Sequence, residues 1–462
     1  MSGGTMTRRD ALKRLVAFGA GAAALAACAP ATPQVVKETI VVEKEVTAPP
    51  PAKGPVKLVY SSYAFDVDDQ QMIVDEWNKE NPDIQVEIQF APWDQYWMKI
   101  QTQVAGGQVP DIMNNSVAYI VVLAFRNGFV NLDPLVERDG IDLDIFYEPA
   151  LNQWRWEYGQ IKTGQGPLWS WPFTAQCSHM FFYNETLFDQ EAIAYPDETW
   201  DWDTLTETAQ AMTKDTDGDG VNDQWGVSVP ISTYMTWWPL TWQAGGEWFD
   251  DEMRTCLADS DESMAVLSHV IGLFQNYKVA PLPGTYQMSP FMTGKVAMAY
   301  GGFWDATMTY ADIEEFDWDV AVPPRGPGGT TTIDVISNSF GIMNGTAHVD
   351  EAWEFAKWLT MDRGAELWCQ HVNAGFSHKE IAKKYTYTKD RQDAPQSLWL
   401  YDDLIQNGHI CYVAGSWGEF NAASTSELEA GVIGEKEAKA VAADTVAKVN
   451  EILAADWDKY VG

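Results

Sequence analysis

The sequence predicts an α/β protein with more than one domain, and three observations carry that expectation. Short runs rich in β-branched and aromatic residues alternate with longer amphipathic stretches along most of the chain. The 462 residues, 46% of them hydrophobic, suffice for two ordinary domains with sizeable cores. No repeat of solenoid period interrupts the alternation.

Residues 57–60 read as a strand. Residues 69–80 have helical spacing, with Met72, Ile73 and Trp77 on one side, and stop at Asn81-Pro82. Residues 84–90 alternate as a strand, and 97–105 are helical up to the break at Gly106-Gly107-Gln108-Val109-Pro110. Asp111-Ile112-Met113 then reads as a short buried strand. Strands alternating with helices predict a largely parallel sheet, in which ligands sit beyond the carboxyl ends of the strands. That directs attention to the loops after Tyr60, Phe90 and Met113. The second half continues in this style. Residues 180–183 read as a strand and 200–213 as a helix opened by Asp201 or Asp203. Residues 351–359 form a helix with Ala352, Phe355 and Leu359 inward, and 427–453 is helix-rich.

The start of the chain has a different character. Thr7-Arg8-Arg9-Asp10-Ala11-Leu12-Lys13 reads as a twin-arginine export signal, followed by an Ala- and Gly-rich apolar run from Leu15 to Ala27. The run falls short of the roughly 20 residues a bilayer-spanning helix needs. It ends in Leu25-Ala26-Ala27-Cys28, small residues ahead of a thiol that a lipoprotein pathway diacylates. Residues 1–28 are therefore expected to be a lipoprotein signal, with Cys28 as the lipidated first residue outside the cytoplasmic membrane. Residues 29–55, with Pro49-Pro50-Pro51, are expected to be a stiffened linker.

Charge narrows the partners. With 30 Lys and Arg against 66 Asp and Glu, the formal net charge is −36, which repels nucleic acid and anionic headgroups. No nucleic acid partner is expected, and membrane contact is expected through lipid only. Four cysteines remain beyond Cys28: Cys177, Cys256, Cys369 and Cys411. An oxidising location permits disulfides, with three possible pairings. Cys369-Gln370-His371 with His409-Ile410-Cys411 matches no zinc-site spacing, so disulfides or free thiols are expected instead.

One motif suggests a metal. In Asp215-Thr216-Asp217-Gly218-Asp219-Gly220-Val221-Asn222-Asp223, oxygen ligands at positions one, three, five and nine surround a glycine at six, the pattern of an EF-hand calcium loop. Asp215, Asp217 and Asp219 would bind directly, Val221 through its carbonyl and Asp223 through water. Gly226 stands where the bidentate Glu would be, so the expected role is structural. Catalysis is not expected. The sequence holds no nucleophile elbow, no His-Glu-x-x-His and no phosphate loop, and Gly326-Pro327-Gly328-Gly329 lacks the following Lys and Ser or Thr.

Seven ordered pieces carry a family resemblance. They are Lys57-Leu58-Val59-Tyr60; Gly106-Gly107-Gln108-Val109-Pro110-Asp111-Ile112; Phe182-Tyr183-Asn184-Glu185-Thr186-Leu187-Phe188; Thr199-Trp200-Asp201; Phe291-Met292-Thr293-Gly294-Lys295-Val296-Ala297-Met298; Gly301-Gly302-Phe303-Trp304; and Ala352-Trp353-Glu354-Phe355-Ala356-Lys357-Trp358-Leu359-Thr360. In this order, behind a lipoprotein signal, the chain resembles the extracellular solute-binding proteins of sugar ABC importers, the maltose-binding-like group. The resemblance implies a two-lobe periplasmic-binding-protein-like α/β fold with a ligand cleft between lobes joined by crossing hinge strands. The first lobe would hold 56–176 and 336–385, and the second 181–331 and 389–462. It further implies capture of a mono- or oligosaccharide by lobe closure and delivery to an ABC transporter permease, by a monomer. Acidic loops without the helix–loop–helix frame occur in this family.

The resemblance also nominates site residues. Trp304 aligns with a sugar-stacking tryptophan, and Gly301-Gly302 allow close approach there. Trp417 aligns with a second one. The segment 234–242 matches one that sends an aromatic and polar pair into the cleft, and Trp237 and Trp238 are its candidates. Tyr63 and Phe65 follow the first strand, where the family often has charged groups, a departure from maltose-like specificity. Trp93 and Asp94 follow the second strand, Asn114 and Asn115 follow the third, and Gln176 falls at the hinge. The alternative is a peptide, polyamine or other cationic ligand, favoured by the negative field, with Asp66, Asp94 and Asp305 as cage carboxylates.

Overall fold

The computed structural model describes residues 54–372, 375–412 and 415–461. The signal, Cys28 and the linker up to residue 53 lie outside the described residues. Strand β1 (Val56–Tyr63) buries Leu58 and Tyr60 and lies between two parallel neighbours. It pairs with β2 (Ile84–Ala91) along its whole length, from Val56↔Ile84 to Tyr63↔Ala91, and with β3 (Ile112–Ser116) from Tyr60↔Ile112. Asp111 fixes this register: its Oδ2 accepts the Val59 N–H at 2.7 Å, and its other oxygen takes the Thr346 hydroxyl. Between β1 and β2, helix α1 (Val67–Glu80) turns Gln70, Ile73, Val74 and Trp77 onto the sheet at helical spacing. Helix α2 (Trp93–Gly106) ends where Gly107, at φ 66°, donates back to the carbonyls of Gln103 and Val104.

The chain then builds a second sheet from β5 (Met180–Asn184), β6 (Trp225–Ser228), β7 (Val296–Gly301) and β8 (Trp318–Ala321), in the order β6-β7-β5-β8. Helix α3 (Trp202–Met212) covers it, and of the two candidate caps it is Asp201 that accepts the Thr204 N–H, at 2.8 Å. Helix α4 (Trp238–Gln243) and helix α5 (Asp261–Gln275) complete this part. The short β9 (Asp334–Val335) leads back, and β10 (Asn338–Ile342) joins the first sheet antiparallel to β3 and to β4 (Trp171–Pro172), giving β2-β1-β3-β10-β4. Helix α6 (Val349–Met361) buries Trp353, Phe355 and Leu359. Strand β11 (His409–Ile410) pairs with β9, and helices α7 (Trp417–Val432) and α8 (Ala438–Tyr460) close the chain.

The result is the two-lobe α/β fold. Each lobe has its own sheet, and the chain passes between them at 172–180 and again at 321–338. There Gln176 and Ile336 exchange both backbone hydrogen bonds, at 2.9 and 2.8 Å. The sheets are mixed rather than largely parallel, because β10 returns from the other lobe and β5 opens the second sheet antiparallel to both its neighbours. The four cysteines beyond Cys28 are all buried and free.

Candidate functional site

A cavity of about 440 Å³ opens at the crossing. From the first lobe it takes Tyr63 at the carboxyl end of β1, Ser116 at the carboxyl end of β3, and Phe65 and Trp93 beside them. This is the end of a parallel sheet at which ligands gather. The crossing strands add Phe173, Thr174, Gln176, Ser337 and Asn338. The second lobe adds Tyr234, Trp304 and Trp417.

The rings support one another. Tyr63 stacks on Phe65 at 4.9 Å between centroids and meets Trp93 edge-on at 4.8 Å. Tyr234 meets Trp417 edge-on at 5.5 Å. Trp304 depends on the glycines before it: a Cβ on Gly302 would lie 2.2 Å from the Trp304 ring, and one on Gly301 would lie 2.7 Å from Asp305 Oδ2. Only glycines let the ring fold back across the end of β7 while Asp305 accepts the Gly302 N–H at 2.8 Å. Among the described residues lining this cavity none carries a charged side chain.

The polar groups are neutral donors and acceptors. Burial, then the Asp334 carboxylate, pushes the Tyr234 phenol up to about 12, and burial also raises the Tyr63 phenol well above its ordinary value, so both stay protonated. The Trp417 Nε1–H is buried without a partner. Cys411 borders the cavity with its thiol held protonated by burial, so it is no activated nucleophile. The surface can hold rings by their faces and hydroxyls by their edges.

The structure brings together Trp304, Trp417, Tyr63, Phe65, Trp93 and Gln176 from the sequence candidates. It does not bring in Trp237 and Trp238. Trp237 is fully buried, its Nε1 donating to Ser263 Oγ at 2.8 Å and its ring edge-on to Trp248, and Trp238 packs among Trp242, Trp248 and Phe249. The residue of that segment that faces the cavity is Tyr234. Asn114 and Asn115 are fully buried inside β3, which runs on to Ser116 because β10 pairs with it that far, from Ile342↔Ile112 to Asn338↔Ser116. The Asp94 side chain lies outside the described set. Three π-helical stretches, Thr233–Trp237, Asp305–Thr309 and Trp368–Val372, each send residues to the cavity wall.

The acidic loop lies elsewhere on the surface. Asp215, Asp217 and Asp219 bring their carboxylates within 4.8 Å of one another. Asp215 accepts the N–H groups of Gly218 and Gly220 at 2.6 and 2.7 Å, which holds its pKa low. Asp223 is turned instead to the N–H and hydroxyl of Thr216, both at 2.8 Å, and Val221 is exposed.

Residues 67–366 match the model of the bacterial extracellular solute-binding proteins, and the chain belongs to that family. It is similar to an uncharacterized lipoprotein of Streptomyces antibioticus, 24% identical over 68% of each chain. Its fold matches an ABC substrate-binding protein of Listeria monocytogenes in complex with cycloalternan, with a TM-score of 0.73 and 22% identity over 87% of this chain and 99% of that one. It also matches a cyclic α-maltosyl-1,6-maltose binding protein of Arthrobacter globiformis, with a TM-score of 0.71 and 19% identity over 87% and 100%. Among the described residues no helix is long and apolar enough to cross a membrane.

Proposed function

We propose that the protein is the substrate-binding component of an ABC importer and captures a neutral carbohydrate in the cavity at the lobe crossing. The observation that carries this reading is the wall itself: Tyr63, Phe65, Trp93, Tyr234, Trp304 and Trp417 offer ring faces, Gln176 and Asn338 offer amides, and no described lining residue is charged. Membership of the solute-binding family and the sugars named for the two similar structures support it. In this reading the protein binds and releases its ligand unchanged. It is held outside the cell membrane by lipid on Cys28, works as a monomer, and presents the closed lobes to the permease. The acidic loop at Asp215, Asp217 and Asp219 holds a structural calcium ion, whose charge would offset the three converging carboxylates.

Thermal unfolding against panels of sugars, peptides and polyamines tests the reading. A ligand that binds only the folded state raises the midpoint by mass action. A rise with one class of sugar is the expected result; a rise with polyamines or basic peptides alone overturns it.

A further inference from the structure

Three strands meet at the floor of the cleft. Gln176 and Ile336 exchange both backbone hydrogen bonds at the crossing, and β11 runs beside β9 in the parallel register His409↔Asp334, Ile410↔Val335. One residue further on, Cys411 comes alongside Ile336, its N–H donating to the Val335 carbonyl at 3.4 Å. Gln176, Ile336 and Cys411 therefore stand in a row, and all three line the cavity. The row presents an amide, then a branched alkyl group, then a thiol. Gln176 and Ile336 are only partly buried, so both reach the cavity surface. A protonated thiol behaves as a small apolar group, so two of the three positions offer a sugar hydroxyl no strong partner.

The polar side chains beside this row are already engaged within the protein. Ser337 Oγ accepts the Trp154 Nε1–H at 3.0 Å and donates to the Asn338 carbonyl at 2.9 Å. Thr174 Oγ1 accepts the Asn338 N–H at 2.8 Å, and the Thr307 hydroxyl donates to the Phe303 carbonyl at 3.4 Å. A fully hydroxylated sugar laid on this floor would leave hydroxyls buried without partners, each at a cost in free energy. The Gln176 side-chain amide is different: among the described residues it has no hydrogen-bond partner, which leaves it available to a ligand.

An amide beside an apolar pair matches one sugar substituent. An acetamido group carries a carbonyl and an N–H, which a glutamine amide meets with one donor and one acceptor. It also carries a methyl group, which gains by leaving water for alkyl and thiol surface. Acetylation leaves the sugar nitrogen uncharged, in keeping with a lining whose described side chains are all neutral. We propose that the sugar held in this cleft is an N-acetylated amino sugar, its acetamido amide on Gln176 and its methyl against Ile336 and Cys411. The proposal rests on the carbohydrate reading and narrows it to a ligand class.

Calorimetric titration with pairs of sugars that differ only in the substituent on the second ring carbon tests it: N-acetylglucosamine against glucose, N-acetylgalactosamine against galactose, and di-N-acetylchitobiose against cellobiose. In the pair that fits the cleft, the acetamido sugar is expected to bind about tenfold more tightly, the combined effect of a hydrogen bond and a buried methyl. Ile336→Thr is close in volume and sets a hydroxyl where the methyl would lie; it is expected to bring that preference close to unity. Ile336→Val keeps the position apolar and is expected to retain the preference. Gln176→Leu is expected to weaken the acetamido sugar by roughly tenfold and to leave its hydroxyl counterpart nearly unchanged. Hydroxyl sugars that bind as tightly as their acetamido partners, or a preference that Ile336→Thr leaves intact, overturn the proposal while the carbohydrate reading stands. Binding of no sugar of either kind overturns the carbohydrate reading itself, and the proposal with it.

Discussion

Both carboxylate oxygens of Asp334 face the backbone N–H of Ser178, at 3.0 Å each, where the chain crosses between the lobes. The residue is 1% exposed; its charge is felt by the Cys177 and Cys411 thiols and the Tyr234 phenol, and His409 pairs with it across β11.

Burial raises the Asp334 pKa from 3.8 to about 7, against the pull of the Ser178 hydrogen bonds. A raised folded pKa means that the native state binds more protons than the unfolded chain between those two values. The stability it contributes is present below the lower value and is lost as pH rises through the upper one. Asp334→Asn keeps an acceptor for Ser178 and removes the titration. The expected outcome is that the melting temperature of the natural protein, relative to the Asn variant, falls as pH rises from 3.8 to about 7, the window set by that shift, and levels off above it. Differential scanning calorimetry of both proteins across that range checks it, and a pH-independent difference contradicts it.

Trp237 and Trp304 are expected to separate stability from binding. Trp237→Ala removes a fully buried ring and its bond to Ser263, a change worth about 3–5 kcal/mol of stability. The folded fraction should bind ligand as before. Trp304→Ala is expected to leave the midpoint nearly in place, since the ring is only partly buried, and to weaken sugar binding roughly tenfold or more. Midpoints and Kd values measured on the same two variants decide the matter; a reversed pattern would exchange their roles.

The fold was legible where one period dominated. The 3.6-residue spacing of Ile73 and Trp77, or of Ala352, Phe355 and Leu359, places core faces that the structure buries. The glycines before Trp304 read as room for the backbone to approach a ligand, and in the structure the Trp304 ring itself takes the space beside Gly302. Asn114 and Asn115 are nominated because the resemblance places polar cleft residues after the third strand, whereas the strand itself runs on through both, paired to Phe340 and Ser339 of β10. Trp237 and Trp238 misled because composition says that a ring is near, not which way it points. The π-helical turn over Thr233–Trp237 sets that direction, and it is a hydrogen-bond register with no residue signature. Thr307, Ser337 and Asn338 come to the cavity through the topology of the crossing, which no local pattern encodes.

Calcium is expected to stabilise the protein through the loop at Asp215, Asp217 and Asp219. Their carboxylates converge at the surface with no positive side chain paired to any of the three among the described ion pairs, so a bound cation would relieve their repulsion. Added calcium should raise the midpoint of unfolding and a chelator should lower it, by mass action on the folded state. Asp217→Asn combined with Asp219→Asn should abolish the response while leaving sugar affinity unchanged. A midpoint indifferent to calcium in the natural protein would leave the loop an acidic turn braced by the bonds that Asp215 accepts from Gly218 and Gly220.

Salt is expected to separate the carbohydrate from the cationic alternative. The chain as a whole carries a formal −36, a field that draws in polycations and is screened at moderate ionic strength. The cleft cavity behaves differently: Asp66 and Asp305, proposed as cage carboxylates, are not among its lining residues. A neutral sugar bound by ring faces and amides has no net charge for the field to act on. Its Kd should change by less than about twofold between low and molar salt. A ligand whose affinity collapses over that range would have to be bound by the carboxylate surface rather than by the rings of Tyr63, Trp304 and Trp417, and the site would then lie outside the cavity at the crossing.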